Sequence, residues 1–313
     1  MSLPPATLRV RRDQFHLAWD RSIEPVATVT SGSVVEFDAL DSSGGQITAD
    51  STAADIAKLD FSRVDGVHGP VAVEGAQEGD TLEIELLEFV PADWGWTASI
   101  PGFGLLAEDF PEPALRISHL SQGTAEFLPG IRIPLAPFCG EVGVAPHDEG
   151  AFSTIPPTVH GGNMDTRHLT AGTRLFLPIG APGGRLSLGD GHAAQGDGEV
   201  CGTAIETLMR ATVRLSLRRD VHVTAPEFLI PGPLARETNV GPFYATDGVG
   251  PELRSAAKDA TRRMIDYLGR EHVGIGPADA YMLGSVACDL KVSEVVDEPN
   301  WIVTAYCPLS IFS

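Results

Sequence analysis

The chain has 313 residues with 22 Lys and Arg against 42 Asp and Glu, a formal net charge of −20. This excludes nucleic acid and anionic membrane as partners, because both demand a basic footprint. Gly (34) and Pro (24) make up about a fifth of a sequence that is still 43% hydrophobic, so a turn-rich chain with many short strands and a real core is expected, as one large domain or two smaller ones.

Cys139, Cys201, Cys288 and Cys307 are far apart and form no Cys-x-x-Cys pair, which argues for buried free thiols rather than a zinc ribbon or a disulfide framework. The opening MSLPPATLRVRRDQF has no apolar stretch of signal-peptide length, and no apolar run approaches the roughly 20 residues of a membrane span. A cytoplasmic location is the expectation.

In chain order, residues 25–40 alternate β-branched positions around Ser31-Gly32-Ser33, which predicts a hairpin. The segment Leu82-Glu83-Ile84-Glu85-Leu86 predicts a half-buried strand with the aliphatic residues inward. From about 91 to 160 the chain is dense in Pro, Gly and aromatics without helical period, which reads as long ordered loops. TRLFLP (173–178) and RLSL (185–188) flank Ile-Gly-Ala-Pro-Gly-Gly and read as a second hairpin, and ATVRLSLR (211–218) as another strand. One helix is predicted over Pro251–Gly269, with Leu253, Ala256, Ala257, Ala260, Met264, Ile265 and Leu268 inward, and a shorter one after Pro277.

Chemistry concentrates in Gly189-Asp190-Gly191-His192-Ala193-Ala194-Gln195-Gly196-Asp197-Gly198-Glu199, directly after a strand. Asp190 and His192 are two apart and share a face when extended, as do Asp197 and Glu199. The glycines let the backbone bend so that both pairs converge. Mixed His nitrogen and carboxylate oxygen suits zinc or another borderline divalent ion, the alternative being a calcium-like or purely structural acidic loop. Upstream, His160-Gly161-Gly162-Asn163-Met164-Asp165-Thr166-Arg167 places His160 and Asp165 to join the same ligands if their strands pair, the alternative being an Asx-type turn. Asp38, His68 and Glu74 are weaker candidates to approach a shared site, His147 a candidate for its mouth, and Trp94 and Trp96 for a pocket wall. Neither a Gly-x-Ser-x-Gly elbow nor a Walker-type loop is present.

His160-Gly-Gly-Asn-Met-Asp165, Gly189-Asp190-x-His192-Ala-x-Gln195-Gly-Asp197-Gly-Glu199, Ala204-Ile-Glu206 and Gly69-Pro70-Val71-x-Val73-Glu74-Gly75-Ala76-x-x-Gly79-Asp80 together resemble the signature of the acetamidase/formamidase family. The resemblance runs over essentially the whole chain, so it implies a single unit, with an N-terminal β part of about 1–140 and a catalytic part of about 141–313 as its expected subdivision. It implies a mostly β fold, with β-sandwich or barrel-like subdomains, a small α/β part and one main C-terminal helix. The implied activity is hydrolysis of formamide or acetamide to the carboxylate and ammonia, with a divalent metal, in a homodimer or larger homo-oligomer. On this reading His160, Asp165, Asp190, His192 and Asp197 hold the metal, zinc first and calcium as the alternative. Glu199 is the general base, with Asp197 beside it in catalysis, and Asn163, Gln195 and His68 hold the amide. The rival expectations are a metal-stabilised β protein that binds a small amide or carboxylate without cleaving it, and a hydrolase of a cyclic amide or a larger carboxamide.

Overall fold

The computed structural model describes residues 4–232 and 241–312, and these are mostly β, as expected. Two large sheets pack through one apolar core. The first runs β1 (Leu8–Val10), β4 (Ser33–Ala39), β15 (Met209–Arg218), β6 (Thr81–Pro91), β13 (Arg174–Pro178) and β16 (Glu227–Leu229). The second runs β12 (Gly161–Asn163), β11 (Phe138–Gly143), β14 (Leu186–His192), β5 (Val67–Val73) and β2 (Phe15–His16), with β3 (Ala27–Val29) pairing in parallel with β5. Phe37, Leu82, Ile84, Leu86, Val213 and Leu215 from the first sheet meet Val71, Val73, Val142, Leu186 and Leu188 from the second, all buried. The alternation in β6 is the one predicted. Glu83 and Glu85 turn to the outer face, where they pair with Arg174, Arg214 and Arg218 of the flanking strands.

Three local expectations are corrected. The predicted hairpin over 25–40 does not form, because β3 joins β5 while β4 joins β1 and β15, so Gly32 marks a passage between sheets. The 173–188 segment behaves likewise, with β13 in the first sheet and β14 in the second. The stretch read as loops carries most of a four-stranded antiparallel sheet, β7 (Trp94–Ser99), β8 (Ala114–Ser121), β9 (Thr124–Leu128) and β10 (Ile131–Pro134), and then β11. Its many turn residues lie between these strands.

A short helix, α1 (Ala53–Ile56), covers Ile56 beside Trp96 and Ala98. The C-terminal part holds α2 (Leu253–Glu271), α3 (Pro277–Ala287) and a three-stranded sheet of β17 (Phe243–Gly250), β19 (Trp301–Pro308) and β18 (Asp289–Glu294). In α2 the inward face is Ala256, Ala260, Met264 and Leu268 as predicted, but Leu253, in the first turn, is exposed. α3 is buried from Ala280 to Ala287 and forms the centre of a second core with Leu106, Phe127, Ile133 and Val200. No described helix is long and apolar enough to cross a membrane.

Candidate active site

The site lies where the end of β14 meets four other segments. β14 is antiparallel to β11 and β5, and its last residues, Asp190 and His192, project to one side, as their spacing predicted. Gly189 and Gly191 flank Asp190 for a reason other than turning. A Cβ on either would come within 2.6 Å of Gly66 O or 2.5 Å of Thr207 O, so these glycines let neighbouring backbone close on the strand. Gly140 on β11 forms the floor. A Cβ there would sit 2.2 Å from Asp190 Oδ2 and 2.6 Å from Asp165 Oδ1.

Around His192 the carboxylates form two tiers. Nε2 lies 2.9 Å from Asp190 Oδ1 and 3.3 Å from Glu206 Oε2, and these two carboxylates and the imidazole are almost fully buried. Asp165 and Glu199 each approach the ring at 3.9 Å and keep 22% and 15% of their side chains open to a pocket. Glu206 is held by backbone pairing with Trp96 (2.8 and 2.9 Å) and by hydrogen bonds that Ala204 N (2.7 Å) and Ser42 Oγ (2.9 Å) donate to its carboxylate. Gln195 donates through Nε2 to Asp165 O (2.6 Å), which leaves Oε1 to accept from His192 Nδ1 (2.8 Å). That puts a proton on Nδ1 and turns Nε2 toward the carboxylates.

The electrostatics of this cluster are those of buried carboxylates crowded around one imidazole, an arrangement consistent with a cation site. The largest influences on Asp65, Glu141, Asp165, Asp190 and Glu199 are burial, one another, Glu206 and the single imidazole of His192. Burial first, and then neighbouring carboxylates, push Asp65 up to about 8, Asp165 to about 7 and Asp190 to about 6, with the attraction of His192 acting against the rise. Glu141 and Glu199 are also raised well above the usual carboxylate range, again mainly by burial. Burial alone would lower His192, but Asp190 and Glu206 outweigh it and hold the imidazole well above its usual range. Asp165 Oδ1, Asp190 Oδ1, His192 Nε2 and both oxygens of Glu141 are buried without a hydrogen bond of acceptable direction, a costly condition for polar atoms. Ligand atoms around one tetrahedral ion sit roughly 3.3 Å apart, close to the separations around Nε2. One nitrogen with several carboxylate oxygens therefore fits a divalent cation. Asp190, His192 and Glu206 converge within 4.8 Å, as do Asp165, His192 and Glu199.

The backbone here is unusual as well. Among the described residues six non-glycines adopt left-handed φ, and four of them are Asp65 (53°), Asp165 (44°), Asp190 (55°) and Glu199 (39°). Such strain, when it gathers in one place, marks a functional site.

Of the residues singled out in the sequence, Asp165, Asp190, His192 and Glu199 come together, Gln195 braces them, and Asn163 and Trp96 line the adjoining pocket. Asn163 Nδ2 is anchored on Ile155 O (3.1 Å), and its Oδ1 is left without a partner. The others lie elsewhere. Asp197 does not share a face with Glu199, because the chain turns at Gly198; it faces Asp289, which accepts from Asp197 N at 3.2 Å. His160 is not brought to β14, since β12 pairs with β11 alone. It accepts a hydrogen bond from His147 N (3.2 Å), and His147 itself is exposed and paired with Glu78. His68 is buried under the backbone of Leu40, which donates to its Nε2. Asp38 pairs with Arg12 at 2.6 Å, and Glu74 is an exposed turn residue. Sequence reasoning missed Asp65, Glu141 and Glu206. Glu206 stood in the quoted Ala204-Ile-Glu206 motif, which was its available signal. Asp65-Gly66 reads as an ordinary turn, and Glu141 falls in the stretch read as loops.

The model of the acetamidase/formamidase family matches residues 6–151 and 148–313. The formamidase of Methylophilus methylotrophus is 27% identical, covering 96% of this chain and 89% of that protein. The acetamidase of Mycolicibacterium smegmatis is 29% identical over 61% of this chain and 63% of its own length. Among solved structures, the γ-lactamase from Delftia acidovorans superposes with a TM-score of 0.88 at 26% identity, covering 96% of this chain and 90% of its own. The acetamidase from Bacillus halodurans gives 0.69 at 30% identity, covering 96% and 97%. The chain belongs to the acetamidase/formamidase family.

Proposed function

We propose that this chain, an amidase by family, hydrolyses the C–N bond of a linear amide at the His192 cluster, releasing a carboxylate and ammonia, with a divalent cation, zinc on its donor set, held there. What carries the reading is the convergence of His192 Nε2 with buried, unpaired carboxylate oxygens beside a pocket. Asp190, His192 and Glu206 are the residues to hold the ion, with Asp165 and Glu199 on its pocket side. A bound divalent cation supplies Lewis acidity, polarising the amide carbonyl and acidifying water. Asn163 Oδ1, fixed by the anchoring of its own Nδ2, accepts from the amide N–H of the substrate and orients it. Glu199 Oε takes a proton from the attacking water and returns it to the departing nitrogen, a role suited to a carboxyl whose proton affinity burial has raised. The close superposition on the γ-lactamase favours a cyclic amide as the second reading.

Ammonia release from formamide, acetamide and larger amides, with ring opening of a lactam, measured with and without chelator, tests the proposal. His192→Ala is expected to lose both bound metal and turnover. Glu199→Gln is expected to keep metal and lose at least about a hundredfold in kcat. Full turnover in the chelated protein, or in Glu199→Gln, would sink the assignment.

A further inference from the structure

The pocket beside the cluster is larger and more apolar than a three- or four-atom amide requires. Its polar side is formed by Asp65, Asn163, Asp165, Asp190, Glu199 and Glu206 with the hydroxyl residues Ser42, Ser43 and Thr203, and its apolar side by Leu59, Phe61, Val64, Trp96, Ile100, Phe103 and Ile155. Its volume is about 150 Å³, the size of an apolar cavity that holds a benzene ring. Formamide or acetamide bound at the carboxylates would leave most of that wall facing empty space or loosely held water, without the dispersion contacts that close packing supplies. The wall is also built, not incidental. The Phe103 ring packs close against Gly202, where φ is +85° and a Cβ would come within 2.5 Å of Phe103 Cδ1. Phe61, 49% exposed, and Phe103, 37% exposed, stand at the mouth, while Trp96 is buried at the base.

We propose that the amide taken by this site carries an apolar, ring-sized acyl group, a primary carboxamide of the benzamide or cyclohexanecarboxamide class, with the ring against Phe61 and Phe103. This rests on the amidase reading above and names its substrate class.

The test is kcat/KM for ammonia release from benzamide, cyclohexanecarboxamide, acetamide and formamide by the metal-replete protein. Ring amides are expected to exceed acetamide by about ten- to a hundredfold, the span that desolvating one such group supplies. Phe103→Ala and Phe61→Ala are each expected to lower the ring-to-acetamide ratio by about tenfold, mainly through KM. Both side chains are partly exposed, so the variants should fold. Equal or better hydrolysis of acetamide or formamide overturns the inference and leaves the amidase reading standing. Release from no amide at all overturns the amidase reading, and calorimetric titration with benzamide and acetamide then reads the pocket alone. Tighter benzamide binding that Phe103→Ala weakens supports the inference, and equal or weaker benzamide binding overturns it.

Discussion

At the residue scale, the site depends on what is absent as much as on what is present. Gly140 has no side chain because Asp190 and Asp165 occupy the space where its Cβ would be. Gly140→Ala should therefore leave the fold intact by circular dichroism and weaken metal retention and kcat/KM by about ten- to a hundredfold, the scale on which displaced supporting groups act. Unchanged metal content and activity would show that the floor is dispensable. Some of the site could be read from the sequence: Asp190 and His192 sit two apart on a strand, and period two alone puts them on one face. Asp65 and Glu141 could not, because each is a lone acidic residue whose partners lie in distant segments, and Glu206 had only its place in the Ala204-Ile-Glu206 motif as a signal. Asp197 and Glu199 share the spacing of Asp190 and His192, yet a turn at Gly198 separates them.

At the scale of elements, strands and helices were legible wherever periodicity ran long enough, as in β6, β15 and α2. Their partners were not. Two segments that look like hairpins feed different sheets, each strand pairing with strands distant in sequence rather than with its neighbour. Close approach between elements also leaves little trace beyond glycine. Gly248 in β17 faces α2 so closely that a Cβ would lie 1.8 Å from Ala256 O. Gly248→Ala must push helix and sheet apart, and a loss of about 2–3 kcal/mol is expected, read as a shift of the urea midpoint at unchanged m-value. A midpoint equal to that of the parent would mean that α2 moves freely over the sheet.

For the whole molecule, the charge of −20 is not only a surface property, since part of it is folded inward around one imidazole. Without a cation, Asp190, Asp165 and Asp65 bind protons in the folded state up to about 6, 7 and 8, against about 3.9 in the unfolded chain. Between those limits the folded state holds more protons, so its stability falls as pH rises. His192, also raised, stabilises the fold fully below its unfolded value near 6.5 and loses that contribution at higher pH, in the same direction. Chelated protein should thus melt higher at pH 5 than at pH 8, by at least about 5 °C, and saturating zinc should flatten the difference. Chelated protein that melts higher at pH 8 would contradict this electrostatic picture. The scattered origin of the cluster has a further consequence, in time rather than energy. Asp65, Glu141, Asp165, Asp190, His192, Glu199 and Glu206 become neighbours only after β5, β11, β12 and β14 have assembled and the 199–206 loop has closed over them. An ion captured there arrives last. It would add nothing to the speed of folding and would act as a latch on the finished molecule, slowing its opening.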